Sequence, residues 1–418
     1  MENIPFARPF VGKEEEDAVL SILRSGWLTT GKETLEFEKD FENFLKAGAG
    51  NQAPNRNENS TESFFCMAVN SATSGLHLAL EAIGVGKGDL VLVPSLTFTA
   101  TAEIVRYLDA EIVFVDVIEN GYHMDPGALE LTLKKLSKGI TKDRAKAVIP
   151  VHYGGLPCDM EKILEITKKY GLKIIEDAAH SFPSLIANPQ SSVPNPQSLS
   201  YAGTIGDVGV FSFYATKTIT TGEGGMVVTR DKKIADRVKV MRSHGIDRSI
   251  WNRYTETRAS WYYEVVAPGF KYNIPDILSA LGRVQLSRAM DLLTMREEIA
   301  GLYDNAFRND KYFTIPPTGP GDARHLYPLR INLEKLTVSR DEFAMKIQAE
   351  GVGISVHYIP LHTMPYYKKR YSLKDKDFPE TIKTYNNSVS LPIWPGMTKK
   401  QINRVIQVVK ELALKYSK

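Results

Sequence analysis

The sequence predicts an α/β fold, with a large domain on a mainly parallel sheet followed by a smaller α+β domain. Two observations carry this. From about residue 65 to 229, short Val/Ile-rich runs alternate with amphipathic helical segments, the pattern of βαβ units with right-handed crossovers. Beyond about residue 265 the alternation gives way to longer helical stretches and scattered apolar runs. The expected domains are therefore 1–264 and 265–418, and a chain of 418 residues can bury two such cores.

Residues 13–45 read as two helices, broken at GWLTTG (26–31), a loop placed either to touch a ligand or to pack its Trp. Residues 46–63, KAGAGNQAPNRNENSTES, are polar and turn-rich and predict a surface excursion. A strand at 65–69 runs through NSATSG into a helix with Leu76, Leu80 and Ile83 on one stripe. Ser71 or Thr73 can cap that helix, and its free N–H groups suit a phosphate. Strands follow at 90–93, 112–115, 147–151 and 172–175. Phe98, just past the first of these, either fills the core, as composition favours, or stacks on a flat ring. In parallel sheets ligands bind beyond the carboxyl ends of the strands, where Asp177 and His180 stand. Asp177 can cap a helix or pair with a protonated ring nitrogen. Residues 185–203, rich in Pro and Ser, read as an exposed insert.

The stretch GDVGVFSFYATKTITTGEGGMVVT, 206–229, is the chemical centre. Strands at 208–213 and 226–229 flank a Thr-rich loop carrying Lys217, with Ser212 five residues before it and Gly222, Gly224 and Gly225 after it. A surface lysine is the ordinary reading. The core strands and the glycines, which allow close backbone approach, favour a desolvated amine instead. Such an amine loses its proton readily and attacks carbonyls, and pyridoxal phosphate is the commonest partner of that chemistry.

After this stretch come a helix at 234–241, an aperiodic polar and aromatic run at 246–264, and a helix of about 20 residues after GFKYNI (269–274). The C-terminal part predicts strands at 329–331 and 354–358, a helix at 340–350, a loop with His362, Tyr366 and Tyr367, and a last helix from 399 to about 416. Lys plus Arg number 52 against 49 acids, a net charge of +3 that gives nucleic acid no claim. Two cysteines make no disulfide framework, and no apolar stretch reaches membrane-spanning length, so a cytoplasmic chain without membrane partners is expected. TGEGG lacks the G-x-G-x-x-G spacing of a dinucleotide site. No metal ligand set is assigned.

The motifs SGWLTTG, NSATSGLHLAL, PVHYGG, EDAAHS, FSFYATKTITTGEGG, RSHGI, GFKYNIPDILSA and VHYIPLH occur in this order along nearly the whole chain. As a set they resemble the DegT/DnrJ/EryC1/StrS family of sugar-nucleotide aminotransferases, closest to the branch that aminates 4-keto sugars on UDP. The resemblance implies the aspartate-aminotransferase-like fold, fold type I of the pyridoxal-phosphate enzymes. It implies transfer of an amino group, by way of pyridoxamine phosphate, from glutamate to a UDP- or dTDP-linked 4-keto or 3-keto sugar, for surface polysaccharide, lipid A or glycoside synthesis.

By position, Lys217 is the Schiff-base lysine and proton shuttle, Asp177 the partner of the pyridine nitrogen, and His180 the neighbour of the ring's 3-hydroxyl. Phe98 covers the ring, and Ala72, Thr73 and Ser212 hold the phosphate. Asn273 reaches the phosphate of the other subunit, so the resemblance implies a homodimer with shared active sites. Thr30, His244 and His357 face the sugar nucleotide. Two alternatives are a dehydratase relative, against which Lys217 stands because such relatives replace the lysine, and an idle cofactor-binding module, which has no need of lysine, acid and hydroxyl together.

Overall fold

The computed structural model describes residues 3–47, 63–138, 143–189, 199–247 and 262–418. Most of the 46–63 excursion, the middle of the 185–203 insert and most of the 246–264 run lie outside the described residues. Helices α1 (Lys13–Ser25) and α2 (Lys32–Ala47) come first, separated by the predicted glycine-bounded loop. Then follow β1 (Phe65–Val69), α3 (Ala72–Ala82), β2 (Leu90–Pro94), α4 (Ala100–Tyr107), β3 (Glu111–Val115), α5 (Pro126–Leu136), β4 (Ala145–Val148), α6 (Met160–Tyr170) and β5 (Lys173–Asp177). After β6 (Leu185–Ala187) and β7 (Leu199–Tyr201) come β8 (Val208–Ser212), β9 (Gly225–Thr229) and α7 (Lys232–Met241).

Seven strands join in the order β1-β9-β8-β5-β4-β2-β3. All pairings are parallel except the two made by β9, which is antiparallel to β1 and β8. This reversal brings the start of β9 to the edge where β5 and β8 end. The side-chain period of two then sorts the core. Met67, Val69, Val208, Val210 and Val227 pack toward α3, α4 and α7. Ala68, Phe211, Phe213, Met226 and Val228 pack with Phe37 and Phe41 of α2. A Cβ on Gly75 would lie 2.7 Å from Val210 Cγ1, so glycine there lets α3 sit directly on the sheet.

The 185–203 segment departs from a plain exposed insert. Its ends pair as the antiparallel strands β6 and β7, and Tyr201 is buried against Phe44 and Phe182. The apolar side chains at the two ends drive this, and the Pro/Ser composition of the middle hid it.

Beyond β9 the expected 20-residue helix is two: α8 (Asp276–Ser287) and α9 (Ala289–Phe307). α8 packs across α1 and α2. The Asp276 carboxylate accepts from the N–H groups of Gly31 at 2.7 Å and Thr34 at 3.0 Å, capping α2 from a distant part of the chain. A second core gathers α9, β10 (Phe313–Thr314), β11 (Tyr327–Ile331), α10 (Arg340–Ala349), β12 (Ser388–Leu391) and α13 (Lys399–Lys415). The loop with Tyr366 and Tyr367 is helix α11 (Pro365–Tyr371), and α12 (Pro379–Asn387) leads into β12. The strand expected at 354–358 does not form. Ser355 makes one bridge to Ser390, and the chain then leaves the sheet: Tyr358 meets His180 beyond β5, and the Leu361 N–H donates to the Ser95 carbonyl beyond β2. The third strand is β12 instead, in the order β10-β11-β12.

Beneath the sheet edge, Glu176 is fully buried. It accepts from His152 Nε2 at 2.8 Å and from the N–H groups of Gly203, Ile205 and Gly206 at 2.8, 2.7 and 2.6 Å. Burial pushes its pKa up, but these donors outweigh burial and leave the carboxyl below its usual range. Glu176→Ala strands all four donors and is expected to cost about 3 kcal/mol or more. A thermal melt several degrees below wild type is the expected reading, and an unchanged melt refutes this keystone role.

Candidate active site

The site is assembled where β5 and β8 end and β9 begins. Asp177, the last residue of β5, is buried; its Oδ2 accepts from Thr101 Oγ1 at 2.8 Å and its Oδ1 from the N–H of Ala179 at 3.2 Å. Burial raises its pKa, opposed by these two bonds and by the charge of Lys217. Lys217 lies in the β8–β9 connection. That loop is held by Phe213 and Thr221, paired with Gly224 and Phe213, and by Thr218 donating to the Phe182 carbonyl. The lysine is half-buried, and its Nζ has no hydrogen bond or ion pair among the described residues. Burial pulls its pKa from 10.5 down to about 8, the Arg296 charge pulls the same way, and Asp177 opposes. An amine that gives up its proton near pH 8, in the field of a buried carboxylate, is the arrangement that carbonyl attack needs.

Ser212 ends β8 and is paired in register with Gly225 at the start of β9. A Cβ on Gly225 would lie 2.8 Å from the backbone N of Ala72. Glycine there lets β9 start directly against the N-terminus of α3. Ser71 caps that helix by accepting from Ser74 at 3.1 Å, while the N–H groups of Ala72 and Thr73 have no acceptor among the described residues. Phe98 is 55% exposed, its ring 5.6 Å from that of Tyr358. The core-filling reading of Phe98 is therefore corrected: the chain past β2 turns its ring outward, beside Tyr358.

His180 is buried. Its Nδ1 accepts from the N–H of Gly154 at 3.3 Å, and its Nε2 meets the Tyr358 hydroxyl at 3.0 Å. Burial, with Lys217 and His357 nearby, keeps it neutral, far below the ordinary histidine range. His357 Nδ1 meets Ser390 Oγ at 2.9 Å, and burial pulls its pKa to about 3.

Three expected residues stand apart from this group. The Thr30 hydroxyl is spent within the chain, donating to the Ile274 carbonyl and accepting from Asn273 Nδ2. Asn273 Oδ1 is buried without a partner among the described residues, and Nδ2 keeps a second hydrogen. His244 is exposed, at a positive φ, with no side-chain bond to the cluster. Sequence reasoning missed Thr101, Tyr358, His325 and Arg296. His325 packs 4.5 Å from His180, and Arg296 Nη1 donates to the carbonyls of His325 and Ile393. Tyr358 sits inside VHYIPLH and was findable, whereas the others lack any local signal.

The profile of the DegT/DnrJ/EryC1/StrS aminotransferase family matches residues 9–410. The chain belongs to this family. It is 40% identical over 413 residues to the spore coat polysaccharide biosynthesis protein SpsC of Bacillus subtilis, covering 98% of this chain and 97% of that one. Among solved structures it is similar to PseC of Helicobacter pylori, an aminotransferase involved in the biosynthesis of pseudoaminic acid. There the TM-score is 0.83 at 27% identity, with 99% of this chain and 100% of that one covered. It is also similar to the sugar aminotransferase Spr1654 of Streptococcus pneumoniae, seen in PLP and PMP forms, with a TM-score of 0.82 at 27% identity. That match covers 99% of this chain and 98–99% of the other. The fold is thus that of the type I pyridoxal-phosphate enzymes, and the chain is a pyridoxal-phosphate-dependent sugar aminotransferase. No helix among the described residues is long and apolar enough to cross a membrane.

The residues present fit this cofactor. A partnerless amine, a buried carboxylate that acts on it electrostatically, two free N–H groups at a helix start beside Gly225, and an exposed aromatic ring supply the kinds of group this cofactor needs.

Proposed function

We propose that this enzyme transfers an amino group from glutamate to a nucleotide-linked keto sugar. The observation that carries the reading is Lys217 Nζ, left without a partner and electrostatically coupled to the buried Asp177. When bound, the cofactor supplies a carbonyl for the amine and a ring that acts as an electron sink. Lys217 Nζ holds it and moves the proton during amino transfer. Asp177 keeps a positive charge on the ring nitrogen. Ala72, Thr73 and Ser212 would anchor the phosphate, Phe98 would cover the ring, and His180 would stand near the ring oxygen. His357, neutral and tied to Ser390, borders the sugar. SpsC and PseC, by their names, serve polysaccharide and pseudoaminic acid synthesis, which supports a sugar destined for the cell surface.

Turnover is to be measured against UDP- and dTDP-linked 3-keto and 4-keto sugars, with glutamate as donor and 2-oxoglutarate as the product followed. At least one nucleotide-linked keto sugar is expected to exceed its unlinked counterpart by tenfold or more in kcat/KM. If none does, the nucleotide part of the reading is wrong.

The domain division near residue 265 and a homodimer with shared sites complete the proposal. Asn273, with an unpartnered Oδ1 and a spare N–H, is the residue assigned to the neighbouring site. Lys217→Ala and Asn273→Asp subunits, each inactive alone, are expected to recover activity on mixing, up to one intact site per mixed dimer. No recovery after proven subunit exchange returns Asn273 to a local role beside Thr30.

A further inference from the structure

We propose that Tyr358 is an additional cofactor-binding residue of this site, a hydroxyl donor to the ring oxygen whose direction His180 sets. The N–H of Gly154 donates to His180 Nδ1, so Nδ1 is an acceptor and the ring proton sits on Nε2. The other tautomer would set two donors face to face and leave the buried Gly154 N–H without an acceptor. Nε2 therefore donates to the Tyr358 hydroxyl at 3.0 Å. That hydroxyl, its accepting side occupied, keeps a proton with no acceptor among the described residues.

The phenol is half-buried and stands between the Phe98 and Tyr153 rings, at 5.6 and 6.4 Å, next to the exposed Phe98 face. Asp177 and Lys217 lie within electrostatic reach of this pair: Asp177 acts on Tyr358, and Lys217 on His180. In pyridoxal phosphate the ring oxygen is adjacent to the carbon that bears the aldehyde, and the ring nitrogen lies across the ring from that carbon. A ring held by Lys217 at one end and Asp177 at the other would carry its oxygen on one flank, and where that flank meets His180, Tyr358 would offer the free proton. His180 then acts through Tyr358, as a positioning residue.

This rests on the cofactor assignment and not on the identity of the sugar. Tyr358→Phe removes the proton and keeps the ring. Apoprotein titrated with pyridoxal phosphate is expected to bind it about tenfold more weakly, and the visible band of the bound cofactor is expected to move. In 15N-histidine spectra of the apoprotein, His180 is expected to carry its proton on Nε2, and that signal is expected to shift in Tyr358→Phe. His180→Gln, whose amide can accept from Gly154 and donate to Tyr358, is expected to keep the wild-type affinity and band. His180→Leu is expected to resemble Tyr358→Phe, and this pair decides the matter if Tyr358→Phe does not fold. Unchanged affinity and band position in Tyr358→Phe overturn the proposal, and so does a proton found on His180 Nδ1. An effect confined to the KM of the sugar also overturns it, because the proton then belongs to the substrate.

Discussion

Lys217→Ala is expected to abolish transamination, by more than about 10⁴-fold, because one Nζ supplies both the covalent anchor and the proton carrier. The wild-type protein is expected to be yellow as purified, and after borohydride treatment the cofactor should be found on the peptide that carries Lys217. The structure adds a pH dependence. Burial brings this amine from 10.5 to about 8. The reactive neutral form therefore grows as pH rises through about 8, and covalent loading of the apoprotein should accelerate from pH 6 to 8 and level off soon after. An ordinary lysine would go on accelerating toward pH 10. A Lys217→Ala enzyme with wild-type turnover would refute the assignment. A loading rate still climbing steeply beyond pH 9 would refute the desolvation argument alone.

The large sheet was legible because each strand is a short apolar run bounded by helix signals, and β1 came out at its observed limits, residues 65–69. Asp177, Ser212 and Lys217 were legible for a related reason: they end or follow such runs, and ligands gather there. The antiparallel sense of β9 was not, since strand direction depends on pairing and not on composition. The segment at 354–358 misled because its apolar residues suit a strand, while in the fold it meets its neighbour β12 through the single bridge of Ser355 to Ser390. Tyr358 and His180 lie 178 positions apart, and no local pattern announces a hydrogen bond across that separation. Thr30 shows the converse: a glycine-bounded loop promises a free hydroxyl, and the fold uses it on Ile274 and Asn273.

Asp177→Asn is expected to lower activity by about 10²–10³-fold while the apoprotein stays folded. Asn has the same shape but cannot hold a positive charge on a ring nitrogen. The hydrogen bonds can adjust to it. Its amide oxygen accepts from Ala179, and its amide nitrogen donates to Thr101 Oγ1, which can turn its own proton to Thr97 Oγ1 at 2.8 Å. Nor does the fold need the charge, because burial raises the Asp177 pKa. A carboxyl whose folded pKa is raised binds its proton more tightly when folded. Its contribution to stability is complete below the unfolded value of 3.8 and is lost as pH rises through the higher folded value. At neutral pH the ionised Asp177 is thus a cost to the apoprotein, one that Asn does not carry. Melting temperatures of the two apoproteins, followed from pH 4 to 7, should diverge in favour of the variant. A variant that melts well below wild type at pH 7 would make Asp177 a structural cap, and normal turnover in a folded variant would remove it from the chemistry.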